Sequence, residues 1–247
     1  MFYKIIFIIV LTTNIYASSL KVAVAANVRF AFDEIVVAYE KNTNVKIIPI
    51  VSSSGKLTAQ IEHGAPFDMF LSANMKYPTY LYTKNLAITK PQVYAYGGLV
   101  LWSLKKNIDI NLESLKEKKV KKIAIPNPKN APYGVEALRV LEKFNLKDTI
   151  YKKIVWGESI SQTNQYIYSR SADIGITAKS VVLSPKMHNV GKWIELDKKD
   201  YLPIKQGIVI LKYGFEKNKK TSQDFYNFIF SNEGKKILKK YGYMVNE

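Results

Sequence analysis

Two halves of this 247-residue chain carry the same order of elements, and that repetition limits the possible folds more than any other feature. In the first half a β-rich run, Lys21–Ala25, precedes a helical pattern over Val28–Glu40 with apolar residues at Phe32, Ile35, Val36 and Tyr39. Val45–Val51 predicts the next strand, Lys56–His63 a helix stopped by Gly64 and Pro66, and Asp68–Ser72 a third strand. The second half repeats the order with a strand at Lys122–Ile125, a helix at Gly134–Phe144, a strand at Lys153–Trp156 and a helix at Ser161–Arg170. Ala172–Ala178 then echoes Phe67–Ala73. Alternation of this kind builds open, mostly parallel sheets with helices packed on them, so the chain is expected to be an α/β protein of two similar lobes with a cleft between. Tyr94–Ser103 (YAYGGLVLWS) suits a strand crossing from one lobe to the other, and Pro203–Ile210 a strand crossing back. A C-terminal helix over Ser222–Tyr241 is expected to pack on the first lobe. The expected division is residues 18–96 plus 207–247 for lobe 1 and 97–206 for lobe 2.

Residues 1–17 stand outside the pattern. Lys4 supplies a charge, Ile5–Leu11 an apolar core, and Thr12–Ala17 a polar exit ending in a small residue, the layout of a secretory signal peptide cleaved near Ala17–Ser18. The expected destination is periplasmic, and with no cysteine to lipidate the chain is expected not to be lipid-anchored. Export bears on the net charge of +17, from 37 Lys and Arg against 20 Asp and Glu. Such a surplus first suggests a polyanion, yet an exported chain leaves the compartment that holds most nucleic acid, so no nucleic-acid partner is expected. The lysine runs at Lys118–Lys119, Lys121–Lys122, Lys217–Lys220 and Lys235–Lys240 read as solvated faces.

In open α/β sheets ligands bind beyond the carboxyl ends of the strands, where loops lead into helix starts. Four such junctions stand out: Asn27 after the first strand, Ser52-Ser53-Ser54-Gly55 after the second, Ala131-Pro132-Tyr133-Gly134, and Glu158-Ser159-Ile160-Ser161. A helix start exposes unpaired backbone N–H groups and the positive end of the helix dipole, roughly half a unit charge. Several converging on one cleft would hold an anion with no lysine or arginine, and the asparagine amide and the serine and tyrosine hydroxyls would add donors. Taken singly, Asn27 and Ser54 are ordinary helix N-caps and Pro132-Tyr133-Gly134 a turn. Their joint placement at matching junctions of two related lobes is what suggests a site.

Catalysis has less support. With no cysteine, thiolate metal sites and cysteine nucleophiles are excluded, and two histidines, His63 and His188, make a multi-histidine metal site a poor fit. No G-x-S-x-G elbow and no complete phosphate loop occurs, although Ser54-Gly55-Lys56 resembles the tail of one. His63, before Gly64, reads as a helix C-terminal residue. Glu158 is the acid nearest the expected cleft, and its ordinary role is a first-turn charge favourable to the helix dipole.

Ala25-Ala26-Asn27, the block from Ser53-Ser54-Gly55-Lys56-Leu57 through Gly64-Ala65-Pro66-Phe67-Asp68 to Ser72-Ala73, Tyr94–Ser103, Asn127-Pro128 with Ala131-Pro132-Tyr133-Gly134, and Ala172-Asp173-Ile174-Gly175 together resemble the periplasmic molybdate-binding proteins of ABC importers. The resemblance implies a two-lobed, type II periplasmic-binding-protein-like fold that closes on a tetrahedral oxyanion, molybdate or tungstate, and delivers it as a monomer to a membrane-embedded permease. It implies no catalysis, no cofactor and no direct metal ligands, and it places the anion contacts at Ala26, Asn27, Ser54, Tyr133 and the backbone of Ile160. Many members have serine where Asn27 stands and a tyrosine near Thr177–Ala178; Asn27 with Tyr133 matches the other branch of the family. Other expectations stay open at this point: a binding protein for sulfate, phosphate or ferric ion, or an exported α/β hydrolase.

Overall fold

The computed structural model describes residues 18–246, so the signal peptide read at residues 1–17 lies outside the described residues. The first half runs β1 (Ser19–Ala25), α1 (Arg29–Lys41), β2 (Lys46–Ser52), α2 (Ser54–Glu62), β3 (Met69–Ser72), α3 (Lys76–Thr83) and β4 (Gln92–Gly97). The second runs β5 (Leu99–Ser103), β6 (Ile123–Pro126), α4 (Pro132–Lys143), α5 (Lys147–Ile150), β7 (Ile154–Gly157), α6 (Ile160–Tyr168), β8 (Ile174–Ala178), α7 (Lys179–Val182) and β9 (Lys192–Glu195). The chain then returns through β10 (Ile204–Ile210), α8 (Lys212–Phe230) and α9 (Asn232–Lys240).

Two five-stranded sheets result, ordered β2-β1-β3-β10-β4 and β7-β6-β8-β5-β9. They match strand for strand. In each, three parallel strands (β2, β1, β3 or β7, β6, β8) are followed by an antiparallel one that comes from a crossing between the halves. β5 plays that part in the second sheet and β10 in the first. The repetition read in the sequence is therefore a repeat of topology, and the fold is two-lobed.

Side-chain alternation explains why helices cover both faces of the first sheet, since successive residues of a strand point to opposite sides. Val22, Val24, Met69, Leu71, Ile208 and Ile210 pack with Phe32 and Ile35 of α1 and with Phe225, Ile229 and Leu238 of the C-terminal helices. Their neighbours Ala23, Phe70 and Val209 face the other way, against Leu57 and Ile61 of α2 and Leu81 of α3. The second sheet is centred on Trp102, Ile123, Ile125, Ile174 and Ile176, and its core reaches across to Ala25, Ala26 and Ala73 of the first lobe.

Three expectations need correction. Tyr94–Ser103 is two strands, not one: β4 pairs with β10 up to Gly97, and β5 pairs with β8 and β9 from Leu99, so Gly98 belongs to neither ladder. One continuous strand cannot serve two separate sheets without a break. The C-terminal helical segment begins earlier, at Lys212, but is broken by a kink at Asn218, whose backbone leaves helical geometry (φ −137°, ψ 40°), and it divides again at Ser231, whose extended backbone ends α8 and whose Oγ accepts the Gly234 N–H at 3.2 Å to start α9. A serine that caps a new helix competes with continuation of the old one. Helices α2 and α4 begin two residues before the apolar pattern suggests, at Ser54 and Pro132, because their first turns carry small or polar residues directed at the cleft. The pattern also misses α3, α5, α7 and β9, which are short or weakly periodic.

Candidate functional site

The carboxyl ends of β1, β2, β6 and β7 bring the four junctions to one place. Ala26, Asn27, Ser54, Tyr133 and Ile160, the five positions singled out in the sequence, all line one small cavity between the lobes. Ser53, Ala73 and Pro132 complete much of the wall, and no charged residue lines it. Helices α2, α4 and α6 begin here at Ser54, Pro132 and Ile160, and the first-turn N–H groups of a helix have no intrahelical carbonyl to pair with. Their dipoles make the cavity electropositive without a cation.

The side chains do not play their ordinary capping parts. Ser54 lies inside the first turn of α2, and its Oγ accepts the Ala73 N–H at 2.9 Å, tying the serine loop to the end of β3. Ser53 holds the N-cap position with extended backbone but makes no capping bond; its buried Oγ has no protein partner. Asn27 precedes α1, whose cap position is Val28, and its side chain turns toward the interlobe network instead. Asn27 Nδ2 donates to Gln206 Oε1 at 2.8 Å, to Tyr243 Oη at 2.9 Å and to Tyr133 Oη at 3.4 Å. Gln206 Nε2 in turn donates to Ile204 O at 3.1 Å and Ala73 O at 3.4 Å, which fixes the amide with its oxygen toward Asn27. Asn27 Oδ1 is consequently left buried without a protein partner. The Asn27 carbonyl accepts from Ser180 Oγ at 2.7 Å and Tyr243 Oη at 3.0 Å.

Gln206 reaches this position by strand alternation, on the same buried side of β10 as Ile204 with Lys205 exposed between them, just before the register against β4 shifts at Gly207. Tyr133 reaches its own because Gly97 has no side chain; a Cβ there would stand 1.9 Å from Tyr133 Oη. Burial, with Tyr243 and Tyr94 close by, pushes the Tyr133 phenol well above its ordinary pKa, and burial pushes Tyr243 up to about 12. Both are therefore neutral hydroxyls at physiological pH. The wall is a set of neutral donors and dipoles, with no nucleophile–base pair and neither carboxylate nor imidazole. Among the described residues no group of three or more His, Asp or Glu is placed to hold a metal ion. His63 ends α2, as read from the sequence, with Nδ1 2.7 Å from Ala59 O.

Sequence reasoning missed Ser53, Ser180, Gln206 and Tyr243 as members of this network. Ser53 was visible as part of the serine run. Gln206 stands beside Gly207 in the expected crossing strand, but only the pairing of β10 with β3 and β4 sets which of its sides faces Asn27. Ser180 and Tyr243 carried no signal, since a serine on a four-residue helix and one of 17 tyrosines resemble many others.

The sequence profile described as "Bacterial extracellular solute-binding protein" matches residues 20–244. The molybdate-binding protein ModA of Azotobacter vinelandii is 34% identical over 229 residues, 92% of this chain and 90% of that protein. ModA of Rhodobacter capsulatus is 32% identical, covering 90% of this chain and 86% of its own. The solved structure of the Azotobacter vinelandii periplasmic molybdate-binding protein superposes with a TM-score of 0.87 at 31% identity, over 92% of this chain and 100% of that one. A sulfate-binding protein from Mycobacterium tuberculosis, at 13% identity and a TM-score of 0.77 over 92% of this chain and 86% of that one, shares the fold alone. From a repeated two-lobed topology, an interlobe cavity of helix starts and a profile match along almost all of the described residues, the chain belongs to the bacterial extracellular solute-binding protein family.

Proposed function

We propose that the cavity binds molybdate or tungstate as a dianion and that the protein delivers it, as a periplasmic monomer released from its signal peptide and without a lipid anchor, to a membrane-embedded ABC permease. The observation that carries this reading is the uncharged interlobe cavity on which three helix starts and the buried Ser53 hydroxyl converge. The resemblance to proteins named molybdate-binding, over nine-tenths of the chain, supports the choice of anion. Ala26, Asn27, Ser54, Tyr133 and Ile160 are the proposed contacts, through backbone N–H groups and the serine and tyrosine hydroxyls, with the Asn27 side-chain amide holding Tyr133, Gln206 and Tyr243 in place around them. Hydrogen bonds to an ionised acceptor are shorter and stronger than neutral pairs, so the anion gains affinity from neutral donors alone.

Selection against sulfate follows from size. A smaller tetrahedron cannot reach donors on both lobes at once, and each buried donor left unpaired costs roughly 1–3 kcal/mol. Lobe 1 comprises residues 18–96 and 207–247 and lobe 2 residues 97–206, with the hinge in the crossings at Gly97–Gly98 and Gln206–Gly207. Calorimetry with molybdate, tungstate, sulfate and phosphate tests the reading. Tight binding of molybdate or tungstate with weak or no binding of the other two is expected; sub-micromolar sulfate or phosphate binding with none for molybdate would overturn it.

A further inference from the structure

The first-turn residues Gly55 and Lys56 and the acid Glu158 have no part in the cavity wall, yet they meet at its mouth. Gly55 N–H donates to the carbonyl of Asn130, in the loop before α4, at 3.0 Å. Lys56 Nζ lies 3.1 Å from Glu158 Oε2, in the loop before α6. Gly55 and Lys56 belong to the lobe of β1, Asn130 and Glu158 to the lobe of β6, so both contacts bridge the cleft.

The Glu158 carboxylate is held from its own side. Asn130 Nδ2 donates to Oε2 at 3.1 Å and Asn127 Nδ2 to Oε1 at 3.3 Å, while the Glu158 backbone N–H is bonded to Gln162 Oε1 at 2.7 Å. An acceptor fixed by two amides asks only the lysine to give up its freedom on closure, which favours the pair over an ordinary surface contact. Asn130 joins the two bridges, since its carbonyl receives Gly55 and its amide supports Glu158. The backbones approach closely: a Cβ on Gly55 would stand 3.1 Å from Asn130 Cα and carbonyl oxygen and 3.0 Å from Tyr77 Oη, so a side chain there would push the two lobes apart by a few tenths of an ångström.

We propose that Gly55–Asn130 and Lys56–Glu158 form a clasp across the cleft mouth that sets how long a bound oxyanion is retained, without taking part in the choice of anion. The proposal rests on the reading of the cavity as the ligand site. Contacts made only in the closed state act on release more than on capture. The ion pair is half-exposed, with side-chain exposures of 48% and 44%, so its effect is modest and screened by salt.

The test is stopped-flow release of molybdate from the wild type, Lys56→Met, Lys56→Arg, Glu158→Gln, the Lys56→Met/Glu158→Gln double variant and Gly55→Ala, with small-angle scattering of each with and without ligand. Release about two- to five-fold faster is expected for Lys56→Met and for Glu158→Gln, with no further change in the double variant, near wild-type release for Lys56→Arg, and loss of the difference near 1 M salt. Gly55→Ala is expected to release faster still and to scatter as a more open particle at saturating ligand. The ratio of molybdate to sulfate affinity should stay constant throughout. Wild-type release rates in Lys56→Met and Gly55→Ala, or additive effects in the double variant, would overturn the clasp. If the wild type binds no oxyanion, the reading of the cavity has failed instead. Scattering then decides the clasp alone, with more open variants supporting it and unchanged ones overturning it.

Discussion

At the scale of single residues, the site depends on side chains that are missing as much as on those present. Tyr133 enters the interlobe space over Gly97, and Gln206 Nε2 lies 3.0 Å from where a Cβ on that glycine would be. Gly97→Ala should therefore displace the tyrosine and disturb the amide that orients Asn27. We expect at least a ten-fold loss of oxyanion affinity, about 1.4 kcal/mol, measured by calorimetry. Overpacking should add about 1–3 kcal/mol of lost stability in a denaturant titration. The four junctions were legible in the sequence because helix starts after strands carry recognisable small and polar residues, whereas the five proposed contacts within them came from the family resemblance. Their partners were not legible, because Tyr243 and Ser180 reach Asn27 from 216 and 153 residues away. No local pattern encodes such a meeting.

At the scale of elements, the weak echo between Phe67–Ala73 and Ala172–Ala178 has a physical origin. Asp68, just before β3, accepts the backbone N–H of Lys21 in β1 at 2.6 Å. Asp173, just before β8, accepts those of Lys121 and Lys122, ahead of β6, at 2.6 and 2.8 Å. Each aspartate pins the entry of a central strand to its neighbour, once per lobe. Their titrations differ. Burial pushes Asp68 above the usual aspartate range, and its neutral partner Asn218 does not fully offset this. Burial also acts on Asp173, but the Lys105 ammonium and the two backbone N–H groups outweigh it and hold that carboxyl below the usual range. A depressed folded pKa means stability present above the ordinary aspartate pKa and lost as pH falls through the lower folded value. Asp173→Asn is thus expected to cost about 1–3 kcal/mol near neutral pH. Thermal melts from pH 7 downward should show that deficit shrinking below about pH 4, the ordinary aspartate value. A constant deficit across that range would contradict the assignment. Element boundaries were legible where apolar periodicity was strong, as at α1, and failed where polar residues opened a helix toward the cleft or where Ser231 divided one helix into two.

At the scale of the whole molecule, the net charge of +17 and the neutral cavity divide the work of binding. Surface lysines act through a long-range field, which speeds the arrival of an anion and is screened within about 8 Å at physiological ionic strength. Association of molybdate should therefore slow several-fold between about 0.01 and 0.15 M salt, while the order of anion affinities stays fixed; stopped-flow association and competition calorimetry at both salts check this. A ranking that changed with salt would mean that lysines contact the anion directly. By itself the sequence determined the α/β class, the duplicated order of strands, the two crossings and the helix starts that face the cleft, because hydrophobic periodicity and turn chemistry are local properties. Only the tertiary structure decided that the crossing strand breaks at Gly98, that Gln206 meets Asn27, that Tyr243 returns from the chain's end to complete the network, and that Lys56 meets Glu158 across the mouth. Those contacts join residues far apart in sequence, and their geometry is fixed by how two lobes pack, which no local pattern records.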